Sequence, residues 1–536
     1  MSFNLSDIFK FPGGVHPPEH KVESTAQPIR TVPLPKTLVL PLRQHIGHIP
    51  KILVNVGDKV LKGQLLAEAH GHVSAAVHAS TSGTITAIDE QVIPHPSGLP
   101  DLCITLEADG KDEWLKHAPL DYQNMERAEL IRRITESGIV GLGGATFPTH
   151  VKLKPDARHP VTTLILNGAE CEPYITCDDL LMRERADEII QGAVIMQTLL
   201  GSTECLIGLE DNKPEAVAAM NAAVAKAGFN AKVMVVPTLY PSGDSRRLIA
   251  LLTGKESPAK GRTTEIGVQC FNVATAQSLY RFVAHGETVV SRIVTLTGNV
   301  AQPGNYDALL GTSVRDLLEA AGGIRSTTDD YVMGGPMMGF SLPSVDVPMT
   351  KAMNCVIAST PNLFPPPPME MPCIRCVACA DACPVNLQPQ ELYWYSKSSN
   401  LEKANEYQLF DCIECGCCSY VCPSHIPLVQ YYRYAKSETI AQDRAKRSAD
   451  LARIRNDERL ARIEREKLER AKKHAERTAK TETAGDDSEK KAAIEAAMAR
   501  AKAQKETVVP QNVDNVSTSV AAEIASVDAT RAGIAE

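Results

Sequence analysis

Two copies of one cysteine phrase restrict this chain more than any other feature. Cys373, Cys376, Cys379 and Cys383 are followed by Pro384, and Cys412, Cys415, Cys418 and Cys422 by Pro423. Each copy reads C-x2-C-x2-C-x3-C-P. Three cysteines at that spacing fit on one tight loop and offer three thiolates to a cubane, while the fourth, carried away by the proline, ligates the other cluster. The spacing therefore assigns Cys373, Cys376, Cys379 and Cys422 to one [4Fe-4S] cluster, and Cys412, Cys415, Cys418 and Cys383 to a second. Zinc knuckles also use C-x2-C pairs, but they explain neither the third cysteine nor the repeated x3-C-P. Cys417 lies outside the pattern and reads as a small buried residue.

Paired clusters pass single electrons, so the remaining sequence should show where electrons enter and leave. At 536 residues the chain has room for three or four folded units and a polar tail. A net charge of -8 gives no reason to expect nucleic acid. Of the 15 cysteines, the six outside the cluster segment are scattered, which points to a reducing compartment rather than a disulfide framework. The N-terminus lacks the charged and apolar regions of a signal peptide, and no run of 18 apolar residues occurs. We expect a chain that neither spans a membrane nor is exported.

Residues 1–30, rich in Pro and His, read as an extended arm. Residues 31–115 contain short β-type runs (TLVLPL, KILVNV, SAAVHA, GTITAI, CITLEA) separated by turns, as in a small barrel or sandwich. Val56-Gly57-Asp58-Lys59-Val60 and Ser82-Gly83-Thr84-Ile85 resemble a lipoyl carrier, yet no lysine lies between Lys62 and Lys111 to hold a prosthetic group. The likeness is thus to the fold alone. His70, His72 and His78 read as surface histidines rather than a metal site.

Residues 120–260 alternate helical and strand patterns, which favours a parallel sheet with helices on its faces. Ligands of such sheets bind beyond the carboxyl ends of the strands. Two loops are placed there. Gly138 to Thr149 carries Gly141, Gly143 and Gly144, whose backbone amides can approach an anion closely. After the strand TTLILN comes Asn167-Gly-Ala-Glu170-Cys-Glu172-Pro173, an amide and two carboxylates that need a ligand or a cation if they line a crevice.

These two loops, with Lys152, resemble the FMN- and NADH-binding subunit of respiratory complex I. The order of parts is similar to the C subunit of the Rnf (Rsx) ion-translocating electron transport complex, over about residues 10 to 435. The resemblance implies a multidomain α+β fold: a lipoyl-like β-sandwich, an α/β flavin/NADH-binding domain, an SLBB-like β-grasp over 261–360 and an α-helical ferredoxin domain over 361–435. It also implies FMN as cofactor and NADH as substrate. Gly141, Gly143 and Gly144 become the phosphate cradle and Lys152 and Asn167 flavin contacts, while Glu170 and Glu172 line the flavin and nicotinamide pocket as the catalytic pair. Tyr240 and Gly243 belong to a second loop, Asn272 and Thr275 to a third. The second loop departs from the family: Gly243-Asp244-Ser245-Arg246 stands where Gly-Gly-Glu-Lys is usual, retaining an acid only at Asp244.

Residues 436–536 read as a charged tail, helical over 436–480 from its opposite charges three or four apart and disordered beyond 481 apart from 491–503. The expected function is a peripheral electron-input subunit on the cytoplasmic face of the bacterial inner membrane. NAD(H) and the integral-membrane and ferredoxin-like subunits of the same complex are its partners. A non-enzymatic ferredoxin-like adaptor with a decayed flavin pocket is the alternative.

Overall fold

The structure is a computed structural model and describes residues 8–154, 158–259, 261–328, 330–482, 488–506 and 517–532. Residues 1–440 form one compact unit and 441–536 another.

The arm starts the first unit with a four-residue helix α1 (Val22–Thr25) and the short strand β1 (Arg30–Thr31). A barrel-sandwich follows: β2 (Thr37–Pro41), β3 (Lys51–Ile52), β4 (Lys59–Val60), β5 (Leu65–Glu68), β6 (Val77–His78), β7 (Gly83–Val92) and β8 (Pro100–Ala108). Two antiparallel sheets face each other, β2-β8-β7-β4 and β3-β5-β6. Period-two alternation sends Leu38, Leu40, Ile85, Ile104 and Leu106 into full burial between them. His70 and His72 are exposed as expected, but His78 is buried. Its strand turns inward against the next domain, so the surface reading fails for that residue.

Helices α2 (Arg127–Glu136) and α3 (Thr149–Leu153) flank the glycine-rich loop. Then come β9 (Thr163–Asn167), α4 (Cys177–Leu200), β10 (Glu204–Glu210), α5 (Pro214–Ala227), β11 (Ala231–Val236), α6 (Ser245–Thr253), β12 (Val268–Asn272) and α7 (Val273–His285). The four strands are all parallel in the order β11-β10-β9-β12. Leu164 and Leu166 pack on the side of α4, α5 and α7, whereas Ile165 packs on α6, which is why the strands read as unbroken apolar runs. Because β12 and α7 complete this sheet, the α/β unit runs to His285, beyond the boundary at 260 that composition suggested. Gly192 of α4 sits against α7 so closely that a Cβ would fall 1.9 Å from the Ala276 carbonyl oxygen. Gly192→Ala should therefore cost about 3 kcal/mol, the top of the range for overpacking. Urea unfolding would check this, and an unchanged midpoint would show that the helices can part cheaply.

The next sheet has the order β1-β14-β13-β17-β15-β16. It is built from β13 (Ser291–Gly298), β14 (Gly304–Leu309), β15 (Asp330–Met333), β16 (Phe340–Ser341) and β17 (Cys355–Ser359), with α8 (Val314–Ala320) packed on it and β1 of the arm added parallel to β14. The cysteine segment folds around α9 (Ala378–Asp381), α10 (Pro389–Lys397), α11 (Leu401–Glu406) and α12 (Cys417–Tyr420), and leads into α13 (Leu428–Glu482). Its core includes Leu392, Tyr393, Leu409, Ile426, Val429 and Tyr432.

The second unit holds the rest of α13, then α14 (Ser488–Glu506) and α15 (Thr518–Ala532), nearly all of it exposed. Part of the stretch expected to be disordered is thus helical. The alanines of SVAAEIASVDATRA, the strongest helix formers, and the absence of Gly and Pro make the helix locally permitted. Residues 1–7 of the expected arm, and 483–487, 507–516 and 533–536 of the expected disordered tail, lie outside the described residues.

Candidate flavin crevice and cluster cavities

The carboxyl ends of β9 and β12 carry Asn167 and Asn272, and the loops around them form a crevice. In the glycine-rich loop the Gly141 amide donates to the Phe147 carbonyl (2.8 Å) and the Thr146 amide to the Gly141 carbonyl (3.1 Å). This closes the loop at its base. Thr275, fully buried, accepts from the Leu142 amide (2.9 Å) and donates to the Val140 carbonyl (3.3 Å), clamping the loop rather than facing outward. The tip, Gly143-Gly144-Ala145, is exposed, and among the described residues its three amides find no acceptor. Gly143 abuts Asn272, where a Cβ would come within 3.3 Å. Gly144 has φ +112 with open space in front of it, a conformation cheap only for glycine. Consecutive free amides at an open tip fit a phosphate group.

Lys152 on α3 lies at the free edge of the sheet, donating to the Cys270 carbonyl (3.0 Å) with its ammonium over the Phe271 ring. Burial lowers its pKa, as for a cation with too few partners. Asn167 ties two loops together, its amide donating to the Gly243 carbonyl (2.8 Å) while its oxygen accepts from the Ala169 amide. Asn272 caps α7 through the Ala274 amide and donates to Asp178 (2.6 Å).

The three acids that the sequence singled out, Glu170, Glu172 and Asp244, are all engaged by backbone. Glu170, at φ +51, accepts from the Asp178 and Asp179 amides (2.7 and 3.2 Å) and so caps α4. Burial, with Asp178 and Asp179 nearby, pushes its carboxyl up to about 7. Glu172 accepts from the Met337 and Met338 amides (2.7 and 3.1 Å), joining the crevice to the turn before β16. Asp244 caps α6 through the Arg246 and Arg247 amides. Gly243 packs on Cys171, whose sulfur would lie 2.8 Å from an added Cβ. Beneath the crevice a fully buried Lys213 pairs with Glu210 (2.9 Å), which also accepts from Ser242 (2.6 Å).

Sequence reasoning passed over three cations. Lys21 of the arm donates to the Glu170, Glu172 and Ile175 carbonyls. Arg292 of β13 reaches the Leu142 carbonyl (3.2 Å), and Lys351 reaches the Ala76 and Gly138 carbonyls (2.8 and 2.7 Å). All three contacts join residues far apart in sequence, and no local pattern announces them. A cleft of about 360 Å³ lies behind α4 and α7, and most of its charges pair with one another: Lys62 with Asp112, Arg281 with Glu287, Arg185 with Asp307, while Asp178 and Arg292 are held by the Asn272 amide and the Leu142 carbonyl.

The two cysteine runs fold alike. Positive φ recurs at matching offsets, at Arg375, Val377 and Asn386 in the first and at Glu414, Gly416 and His425 in the second. Cys383, Cys412, Cys415 and Cys418 line one cavity with Leu387, Leu392, Val429 and Tyr432. Cys373, Cys376, Cys379 and Cys422 line another with Ile374, Tyr393, Ile426 and Leu428. A single zinc ion needs sulfurs about 3.8 Å apart. Among the described residues only Glu170, Cys177 and Asp178 bring three His, Cys, Asp or Glu ligand atoms within 4.8 Å of one another. No three sulfurs of either cysteine quartet come that close, so neither quartet is gathered around a single ion. Cys417 is fully buried beside them.

The cavity holding Cys383 faces the crevice. The buried Tyr240 hydroxyl donates to the Cys415 carbonyl (2.7 Å), Arg247 to the Pro384 carbonyl (2.7 Å), and the Gly14 amide to the Ala382 carbonyl (3.1 Å). Cys376 of the other cavity is exposed. Among the described residues no helix is long and apolar enough to cross a membrane.

Comparison with known proteins follows the same divisions. Residues 9–111 match the RnfC barrel sandwich hybrid domain, 134–281 the Nuo51 FMN-binding domain, 293–341 the SLBB domain and 372–426 the 4Fe-4S dicluster domain. The C subunit of an ion-translocating oxidoreductase complex from Erwinia tasmaniensis is 48% identical over 518 residues, 95% of this chain and 63% of that one. The protein of the same name from Pectobacterium atrosepticum is 46% identical over 531 residues, 98% of this chain and 76% of its own. The chain therefore spans less than two thirds of the first relative's length and about three quarters of the second's. A crystal structure of NAD+-reducing [NiFe]-hydrogenase in the H2-reduced state aligns over 60% of this chain and 63% of its own, at 18% identity and a TM-score of 0.41. The chain carries an FMN-binding domain and a 4Fe-4S dicluster domain, and with these identities over nearly its whole length it belongs to the RnfC family, the C subunits of ion-translocating oxidoreductase complexes.

Proposed function

We propose that this chain is the electron-input subunit of a membrane-bound oxidoreductase, taking electrons from NADH at FMN and handing them singly, through two [4Fe-4S] clusters, to partners that move ions. The observation that carries the reading is the junction at Tyr240, where the second loop of the flavin crevice is hydrogen-bonded to the backbone of Cys415. Bound FMN would supply two-electron uptake from NADH and single-electron release. The amides of Gly143, Gly144 and Ala145 would hold its phosphate, Lys152 would add positive charge, and Asn167 and Asn272 would set the crevice floor. The thiolates of Cys383, Cys412, Cys415 and Cys418 would hold the inner cluster, and those of Cys373, Cys376, Cys379 and Cys422 the outer. Exposed Met369, Met371, Ile374 and Val377 lie in or just before the outer run, as suits an exit toward a redox partner. Attachment at the cytoplasmic face of the inner membrane through such partners is part of the same reading.

One observation favours the adaptor alternative: Glu170, Glu172 and Asp244 are all engaged by backbone amides, leaving none of the three extended over the crevice. Anaerobic reconstitution separates the two. The electron-input reading expects about one FMN per chain on acid release and bleaching of the visible spectrum by NADH. Absence of FMN on acid release would favour the adaptor, and bound FMN without bleaching would mean that electrons enter elsewhere. Gly144→Val, which forces a branched side chain to φ +112, should lower FMN affinity at least about tenfold, as read by fluorescence titration.

A further inference from the structure

The arm delivers one charge into the interior. Lys21 is buried, and its ammonium donates to three carbonyls at once, those of Glu170 (2.8 Å), Glu172 (2.9 Å) and Ile175 (2.6 Å). Carbonyls converging on one cation are how proteins hold a metal ion. Here the cation is part of the chain. All three acceptors belong to the loop between β9 and α4, which carries two non-glycine residues in the left-handed region, Glu170 (φ +51) and Tyr174 (φ +69). Such a loop persists only when its surroundings over-determine it. Burial and Lys213 work against the charge on Lys21, while Glu170 and Glu210 support it.

The same stretch of arm has a second, uncharged anchor. The Ser24 hydroxyl meets that of Thr176 (2.8 Å), and Asn305 donates to the Ser24 carbonyl (2.9 Å). Ser24→Ala removes the hydroxyl contact of this anchor and leaves Lys21 in place.

We propose that Lys21 is a positioning residue of the flavin crevice, drawing the carbonyls of Glu170, Glu172 and Ile175 around its ammonium and so holding the acidic loop in the shape that accepts the cofactor. The inference rests on the FMN reading above. In the reconstituted full chain, Lys21→Met should keep its iron yet bind FMN at least about tenfold more weakly, and the flavin that remains should titrate at a shifted midpoint potential. Ser24→Ala should keep FMN affinity within about twofold and leave the potential unchanged.

Natural affinity and potential in Lys21→Met overturn the proposal. Equal losses in Lys21→Met and Ser24→Ala overturn it as well, since the arm is then only a tether. Should Lys21→Met lose iron as well as FMN, Lys21→Arg decides. A guanidinium keeps the charge but cannot bring three carbonyls to one nitrogen, so this variant should hold iron and bind FMN several-fold more weakly; natural affinity there overturns the proposal. Absence of FMN from the unaltered chain would instead remove the FMN reading, and this inference with it.

Discussion

A Cys383→Ser chain is expected to keep about half of its iron, still react with NADH, and lose electron transfer to an external one-electron acceptor. Cys383 closes the first cysteine run, next to Pro384, yet its side chain shares a cavity with Cys412, Cys415 and Cys418 of the second run. Removing it should therefore abolish the inner cluster, the one beside Tyr240, and spare the cluster on Cys373, Cys376, Cys379 and Cys422. Electron paramagnetic resonance of the reduced protein checks the assignment. Cys383→Ser and Cys415→Ser should leave one and the same residual spectrum, and Cys376→Ser a different one. If Cys383→Ser matches Cys376→Ser instead, ligation is local and the crossed arrangement is wrong.

Acid should destabilise the first unit steeply, starting near pH 6.5. His78 is held to about 3 by burial and by Lys351 close by, and burial lowers His45 and His150 to about 4. All three are buried. In the unfolded chain each takes a proton near pH 6.5. Between that value and the folded ones the unfolded state binds more protons, so stability falls as pH falls, by about 1.4 kcal/mol per pH unit for each histidine. Lys351 acts in the same direction at higher pH. Burial lowers its amine to about 7 against about 10.5 unfolded, so its cost is full below pH 7 and is relieved as pH rises toward 10.5. Urea midpoints between pH 5 and 7.5 measure the effect, and His78→Leu should flatten the slope by about one histidine's share. A midpoint that does not move over this range would show that the buried histidines are protonated in the folded state.

The cysteine spacing carried its chemistry in the open because ligand geometry is local: three thiolates on one loop need only seven residues, Cys373 to Cys379. The parallel sheet was legible for a similar reason, since strands buried on both faces become unbroken apolar runs. What each acid does was not legible. Glu170, Glu172 and Asp244 stand in sequence where a pocket would want them, but each meets backbone amides of a helix start or turn, and for Glu172 these lie 165 and 166 residues away. His78 misled similarly, because nothing in SAAVHA says that its strand is covered by Gly138 and Lys351. The contacts of Lys21, Arg292 and Lys351 are invisible to pattern reading, since their acceptors are carbonyls that every residue possesses.

The arm's bonds also constrain how the molecule is made. Its partners are Glu170 and Glu172, Tyr240, Asn305 and Ala382, all of which leave the ribosome long after residues 8–31 do. The arm can therefore dock only in stages, first on the loop of Glu170 and Glu172 and last on Ala382 beside the cysteine segment. In a chain whose domains fold in order as they emerge, the loop that carries Glu172 is complete only once Met337 and Met338 have followed it out.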